Sequence, residues 1–379
     1  MDASIPFWMY LIGFPLLLGP LITLHELGHY LVGRWFGVEA EAFSVGFGKE
    51  IAGWTDSRGT RWKLSALPLG GYVQFKGDMN PASVPVSGSD PDAARDDSPG
   101  GFHRAALWKR ALIVFAGPAT NVLIALAIFA SFFAHYGQPV AADPERQLTI
   151  EAFPEQSPAR EAGLEVGDRI LAIEGQRMED FAAVQEAVML YPGRTLAFTV
   201  ERDGTERSYP VTVRAEEMED RFGNSSKIGL VGIQSAGSDY VYERAGPIAA
   251  VGLAVDHSIG VMDMMLTGIA QIFTGERSVQ ELGGPVKIAK FSGEQLSMGA
   301  ITFVNFVALI SLNLAFINLL PIPALDGGHL AFYAAEAIRR KPVGQRSQEL
   351  AYRTGMALVL MLMIFVTIND LVSLPVFGN

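Results

Sequence analysis

Cysteine is absent from all 379 residues, which excludes disulfide bridges and thiolate metal ligands. Any extracytoplasmic part must hold together without covalent staples, and any metal must be bound through histidine or carboxylate. Charge is also scarce: 18% of the residues are Asp, Glu, Lys or Arg, against 49% hydrophobic, and the net charge is −11. No nucleic-acid partner is expected of this composition. The first apolar run lacks a basic n-region and is too long for a signal peptide, so it reads as a retained helix, bent near Pro15 and Pro20.

What the chain has in place of charge is long apolar sequence. Spanning a bilayer takes about 20 apolar residues in a helix, and four segments qualify, at about 7–32, 107–133, 301–320 and 354–374. Short cytoplasmic loops are enriched in Lys and Arg. The tails before Gly33 and after Arg353 contain none, whereas Arg34 to Arg110 carries ten, and the loop between the last two spans holds Arg339, Arg340, Lys341, Arg346 and Arg353. These two loops are therefore expected in the cytoplasm and both termini outside. The long 134–300 segment, with 14 basic and 25 acidic residues, is expected to be extracytoplasmic.

Between the spans, residues 43–76 read as a hairpin. A strand run from Phe43 to Trp54 and a second from Arg61 through Gly70-Gly71-Tyr72-Val73-Gln74-Phe75 flank a polar turn over Thr55–Thr60. Its edge could pair with an extended peptide, or it could be merely structural. Residues 78–101, rich in Pro, Ser, Asp and Gly, read as a mobile cytoplasmic loop. Residues 148–214 read as one β-rich domain, with strands at 148–153, 169–173, 196–201 and 207–213, turns at Glu174-Gly175 and Asp203-Gly204, and short helices at 157–162 and 180–190. Residues 244–298 contain amphipathic stretches, and Asp256, His257 and Asp263 make 248–272 an uncomfortable span. A surface-lying or bundle-packed helix pair is expected there, with an additional membrane-inserted helix as the alternative.

Two short motifs about 300 residues apart carry the chemistry: His25-Glu26-Leu27-Gly28-His29 and Leu325-Asp326-Gly327-Gly328. Residues four apart share a helix face, so His25 and His29 can offer two imidazoles to one metal, with Glu26 beside them as a candidate base. A catalytic zinc takes three protein ligands and keeps one position open, and Asp326 is the candidate third. The first motif falls at the cytoplasmic end of the first span, and Asp326 follows the third span, which runs outside to inside, so both halves meet at one depth. The bland alternative makes the histidines interfacial and Asp326 a turn residue, but ionisable groups at membrane depth are costly and usually functional. His329 is a weaker candidate for a partner of Asp326, and His103, His135 and His257 read as surface or interfacial residues.

With these motifs assembled, the chain resembles the site-2 protease family of intramembrane metalloproteases, in particular the bacterial regulator-of-sigma-E protease branch. The resemblance covers nearly the whole length. Besides the two metal motifs it rests on Phe115-Ala116-Gly117-Pro118-Ala119-Thr120-Asn121, Gly284-Pro285-Val286-Lys287-Ile288-Ala289, and Asn318 through His329. The run Ser157 to Leu171 resembles the PDZ domains of bacterial proteases. One such domain is found where better-known members have two. The resemblance implies zinc on His25, His29 and Asp326, Glu26 as catalytic base and Asn318 near the bound substrate. Separately, the Pro-rich stretch with Pro321 and Pro323 could supply unpaired backbone groups to hold an extended substrate. The implied fold is a polytopic α-helical membrane protein of four spans, with a membrane-associated β-hairpin and one inserted α+β PDZ domain.

The expected domains are 1–133 and 301–379 as the two halves of a catalytic membrane core, 134–243 as an extracytoplasmic PDZ domain, and 244–300 as amphipathic connecting helices. The expected protein sits in the bacterial inner membrane with its active site toward the cytoplasm. Its expected partners are the lipid bilayer and single-span membrane proteins, such as an anti-sigma factor or signal-peptide remnants. A zinc-binding membrane transporter would need ligands strung along a path, whereas these cluster at one depth. A non-catalytic PDZ scaffold would have no use for the base Glu26.

Overall fold

The computed structural model describes residues 5–77, 100–219, 225–237, 239–275, 277–279, 282–341 and 343–372. The loop expected over 78–101 lies outside them except for its last two residues. In chain order the elements are α1 (Phe7–Trp35), β1 (Ala40–Thr55), β2 (Arg61–Phe75), α2 (Leu107–Tyr136), β3 (Gln138–Ala141), α3 (Pro144–Gln147), β4 (Ile150–Ala152), α4 (Pro158–Glu161), β5 (Arg169–Ile173), β6 (Gln176–Arg177) and α5 (Phe181–Met189). There follow β7 (Thr195–Arg202), β8 (Thr205–Thr212), β9 (Arg214–Glu219), β10 (Ser225–Leu230), β11 (Gln234–Ser235), β12 (Tyr240–Glu243), α6 (Pro247–Thr274), α7 (Pro285–Ser297), α8 (Ala300–Leu319), α9 (Asp326–Arg339) and α10 (Gln345–Val372). Contacts divide the chain into two compact units, residues 1–130, 251–265 and 278–379, and residues 131–250 and 266–277.

The first unit is built on α1, α2, α7, α8 and α10. Along α1 the buried residues Leu17, Leu21, His25, Gly28 and His29 recur at helical spacing, so the stripe that packs Leu17 and Leu21 against Phe303 of α8 also turns both histidines inward. Phe7, Leu11, Leu16, Leu24, Leu31 and Trp35 face outward, as helices solvated by hydrocarbon require. The helix is continuous through Pro15 and Pro20. The free N–H groups at the start of α7 are capped from α10: the Asp370 carboxylate, fully buried, accepts from Gly284 N at 3.0 Å and Lys287 N at 2.9 Å.

The expected hairpin forms, but both strands fold back on themselves. Residues 52–55 of β1 pair with 61–64 of β2, while 42–45 of β1 pair with 61–64 on one side and with 71–74 on the other. The result is a bent sheet whose last limb, Gly71–Phe75, is an edge. Period-two alternation carries no information about such a fold-back, which is why it does not show in the pattern.

The second unit contains an antiparallel sheet of order β6-β5-β7-β8 over a core that includes Ile150, Leu164, Ile170, Leu196, Phe198, Val200, Val211 and Val213, with Val184 and Val188 of α5. Side chains cap its short helices: Ser157 accepts from Arg160 N at 3.1 Å and Asp180 from Ala183 N at 2.8 Å. The turns at Glu174-Gly175 and Asp203-Gly204 have positive φ at both central residues, the hairpin geometry that matches strand twist.

The segment expected to hold an amphipathic helix pair contains one helix of 28 residues, α6, followed by the 13-residue α7. Among the described residues five helices are long and apolar enough to cross a membrane, α6 included, against the four expected. Asp256, His257 and Asp263 are exposed on α6. They lower its apolar character without breaking it, since no proline follows Pro247 to interrupt the helix.

Candidate metal centre

Two elements, α1 and α9, bring the candidate ligands together. His25 and His29 stand one turn apart on α1, buried at 7% and 8% exposure, with ring centroids 4.8 Å apart and planes nearly perpendicular. Asp326 is the first residue of α9, where the helix dipole favours a carboxylate. The chain reaches it through Ala324, whose φ of 98° is costly for a residue with a side chain. His25 Nε2 and His29 Nε2 are 3.2 Å apart, and Asp326 Oδ2 lies 3.1 and 3.5 Å from them.

Those spacings bear on what the site can hold. Ligand atoms about 2.0–2.1 Å from a tetrahedral zinc stand about 3.3 Å from one another. Asp326 Oδ2 is buried and accepts no hydrogen bond, although two ring nitrogens lie close to it. His29 Nδ1 is 2.8 Å from the carbonyl of Ile113. A carbonyl can only accept, so Nδ1 carries the proton and Nε2 presents a lone pair to the cluster. The lone pairs of His29 Nε2 and Asp326 Oδ2 converging in a buried space suit a cation, and two nitrogens with one carboxylate oxygen suit zinc.

Glu26, half-buried on α1, opens with the three ligand candidates onto a cavity of about 380 Å³. Its Oε2 accepts from Val73 N in the edge limb of the bent sheet at 3.1 Å, so the carboxylate is oriented by main chain from another element. Asn318, at the end of α8, lines the same cavity, as do Gly71, Tyr72, Val73, Asn121, Ala324, Leu325, His329 and Met356. Pro321 and Pro323 lie on the loop between α8 and Asp326, off the cavity wall. His103, His135 and His257 are exposed.

The family model described as Peptidase family M50 matches residues 13–362. The chain belongs to peptidase family M50. Among the relatives of this M50 peptidase, "Putative zinc metalloprotease Atu1380" of Agrobacterium fabrum is 42% identical over 368 residues, 96% of each chain. "Putative zinc metalloprotease R01501" of Rhizobium meliloti is 43% identical over 361 residues, 94% of this chain and 95% of its own. The metalloprotease MmpA of Caulobacter vibrioides is 34% identical over 399 residues, 98% of each.

Several residues around the centre of this M50 peptidase carry no sequence signal of their own. Gly117 on α2 lies so close to the two rings that a Cβ there would meet His29 Nε2 and Cε1, and would stand 2.7 Å from His25 Nε2. Tyr352 of α10 binds His329 through its hydroxyl, 2.5 Å from Nδ1. Three residues on, Gly355 packs directly on the backbone of Pro323, so α10 closes one side of the site. The Phe115–Asn121 motif enters the sequence reading only as part of the family resemblance. Its contact with the imidazoles depends on how α2 crosses α1.

Proposed function

We propose that this chain is a zinc metalloprotease that hydrolyses peptide bonds within the transmembrane segments of single-span membrane proteins, with the metal on His25, His29 and Asp326. The observation that carries the reading is the convergence of Glu26 on the same buried cavity as three donors whose spacing suits zinc. Membership of a peptidase family and the metalloprotease names of the relatives support it.

Zinc, when bound, supplies Lewis-acid polarisation of the scissile carbonyl and activation of the attacking water. Glu26, held by the Val73 N–H, takes the water's proton and delivers it to the leaving amine. Helical substrates keep their carbonyls in hydrogen bonds, so the cleaved segment must be extended first. The edge limb Gly71–Phe75, part of the cavity wall, offers a strand for it to pair with. Asn318, which lines the same cavity, hydrogen-bonds the extended backbone, and Pro321 and Pro323 keep the loop before Asp326 irregular.

We assign four spans, α1, α2, α8 and α10, in a bacterial inner membrane, with residues 134–243 as an extracytoplasmic PDZ domain. Counting crossings supports this assignment. The centre takes His25 and His29 from the late part of α1, Gly117 from the early part of α2 and Asn318 from the end of α8, so α1 and α8 run one way and α2 the other. The chain leaving α2 must therefore enter α8 from the side it left on, and α6 cannot cross alone. At about 1.5 Å per residue the 13 residues of α7 rise about 20 Å, short of the ~30 Å hydrocarbon core, so α7 cannot make the return.

The test is co-expression of candidate single-span proteins, an anti-sigma factor and signal-peptide remnants among them, with the native chain or with Glu26→Gln. Cleavage within the span should occur with the first and uncut substrate accumulate with the second, while zinc content stays near one per chain in both. Substantial cleavage by Glu26→Gln refutes the assignment of the base, and zinc unchanged in a His25→Ala, His29→Ala double variant places the metal elsewhere.

A further inference from the structure

We infer that Asn121 is a positioning residue for the metal centre, fixing the tautomer of His25 so that its Nε2 faces the cluster as a lone pair. The inference rests on the metal reading of His25, His29 and Asp326 and extends it to a residue of α2 that the sequence marks only as the end of the Phe115–Asn121 motif. The two histidines differ in how they are held. His29 is oriented by a main-chain carbonyl, Ile113 O at 2.8 Å. His25 has its Nδ1 3.3 Å from the side-chain amide of Asn121 instead.

The amide of Asn121 can face that nitrogen in two ways, because its oxygen and nitrogen are alike in size and are distinguished only by their hydrogen bonds. With Nδ2 toward His25, Asn121 Oδ1 is buried without a partner in a residue that is 1% exposed, and an orphaned buried acceptor is costly. That arrangement also makes His25 Nδ1 the acceptor and forces the ring proton onto Nε2, the atom 3.1 Å from Asp326 Oδ2, which accepts no hydrogen bond. Turning the amide over removes the second of these, the misplaced ring proton. Oδ1 then accepts from His25 Nδ1–H, and the two histidines adopt the same tautomer, each with Nε2 free for the metal.

The rest of α2 is arranged to keep Asn121 in place. Ser311 of α8, fully buried, donates its hydroxyl to the Asn121 carbonyl at 2.8 Å, tying the two helices together at this residue. Gly117 is four residues earlier on the same face. One turn of α2 thus leaves room for both rings and the next turn orients one of them, which accounts for the glycine and the asparagine of the Phe115–Asn121 motif.

The experiment compares the native chain with Asn121→Leu, Asn121→Ala and Asn121→Asp, reading zinc affinity by chelator competition and the visible spectrum of the cobalt-substituted protein. Leu keeps the size and removes the acceptor, and Asp keeps an acceptor that can only receive the Nδ1 proton. Loss of a partner of this kind weakens metal binding about 10–100-fold. That loss is expected for Leu and Ala with an altered cobalt spectrum, and Asp should restore both to within a few-fold of native. Should Leu fail to fold, the Ala and Asp pair gives the same comparison. Native affinity and spectrum in Leu or Ala, or an Asp variant as weak as they are, overturns the inference. Failure of the metal reading looks different: native and His25→Ala chains would then hold zinc equally.

Discussion

At Gly117 one added carbon decides whether two imidazoles can stand where they do. A methyl there would press on His29 Nε2 and Cε1 and on His25 Nε2. Alanine is otherwise the better helix former by about 1 kcal/mol, so Gly117→Ala separates the two roles of the position. Zinc affinity should fall at least about tenfold, in line with the loss of a ligand-orienting contact, while α2 stays folded. Chelator competition and thermal unfolding of the same sample check it, and native affinity in the variant would mean that the rings move aside freely. The ligand candidates were legible in the sequence because His25 and His29 lie on one helix, where spacing alone fixes a shared face. Gly117 and Asn121 act across a helix crossing, and no spacing within α2 shows which helix its small residues will meet.

The elements of the second unit were largely legible, since its turns announce themselves through Glu174-Gly175 and Asp203-Gly204. The bent β1–β2 sheet was not, because fold-back of a strand leaves its alternation unchanged. Beyond the ladder, β5 is held to β7 by the Arg169–Glu201 ion pair and by Asp168, at 1% exposure. Burial on its own would raise its pKa. The two-point bond from Arg202 at 2.6 and 2.7 Å and the Glu165 N–H at 2.8 Å outweigh it and hold the carboxyl below the usual range. A carboxylate lowered in the folded state contributes stability that is fully present above its unfolded value, about pH 3.9, and is lost as pH falls through the lower folded value. The native unit should therefore weaken below about pH 4. Asp168→Asn should lose that dependence and be less stable near neutrality by about 2 kcal/mol, the scale of a hydrogen bond to a charged group. Urea titrations of the full-length protein at each pH, read by pulse-labelled hydrogen exchange in β7, test both. A native unit as stable at pH 2.5 as at pH 6 would show that the Asp168–Arg202 contact contributes nothing.

For the molecule as a whole, the decisive question is on which side of the bilayer each connection lies, and the absence of cysteine makes it accessible, since any introduced thiol is the only one in the chain. Four spans put residues 134–300 on the extracytoplasmic side and the α9–α10 connection in the cytoplasm. A crossing by α6 would carry Ser297, exposed at the end of α7, to the cytoplasmic side, and would run α8 in the opposite direction. Asn318 would then be on the far side of the membrane from His29, although the two line one cavity. Charge counting assigns sides to the basic loops but does not decide α6, whose Asp256, His257 and Asp263 argue against a span while its length argues for one. In intact cells whose outer membrane has been permeabilised, a membrane-impermeant maleimide should label Ser208→Cys and Ser297→Cys but leave Arg340→Cys unlabelled until the inner membrane is opened. Labelling of Arg340→Cys with protection of Ser297→Cys would overturn the four-span arrangement, and with it the common depth at which His25, His29 and Asp326 are taken to meet.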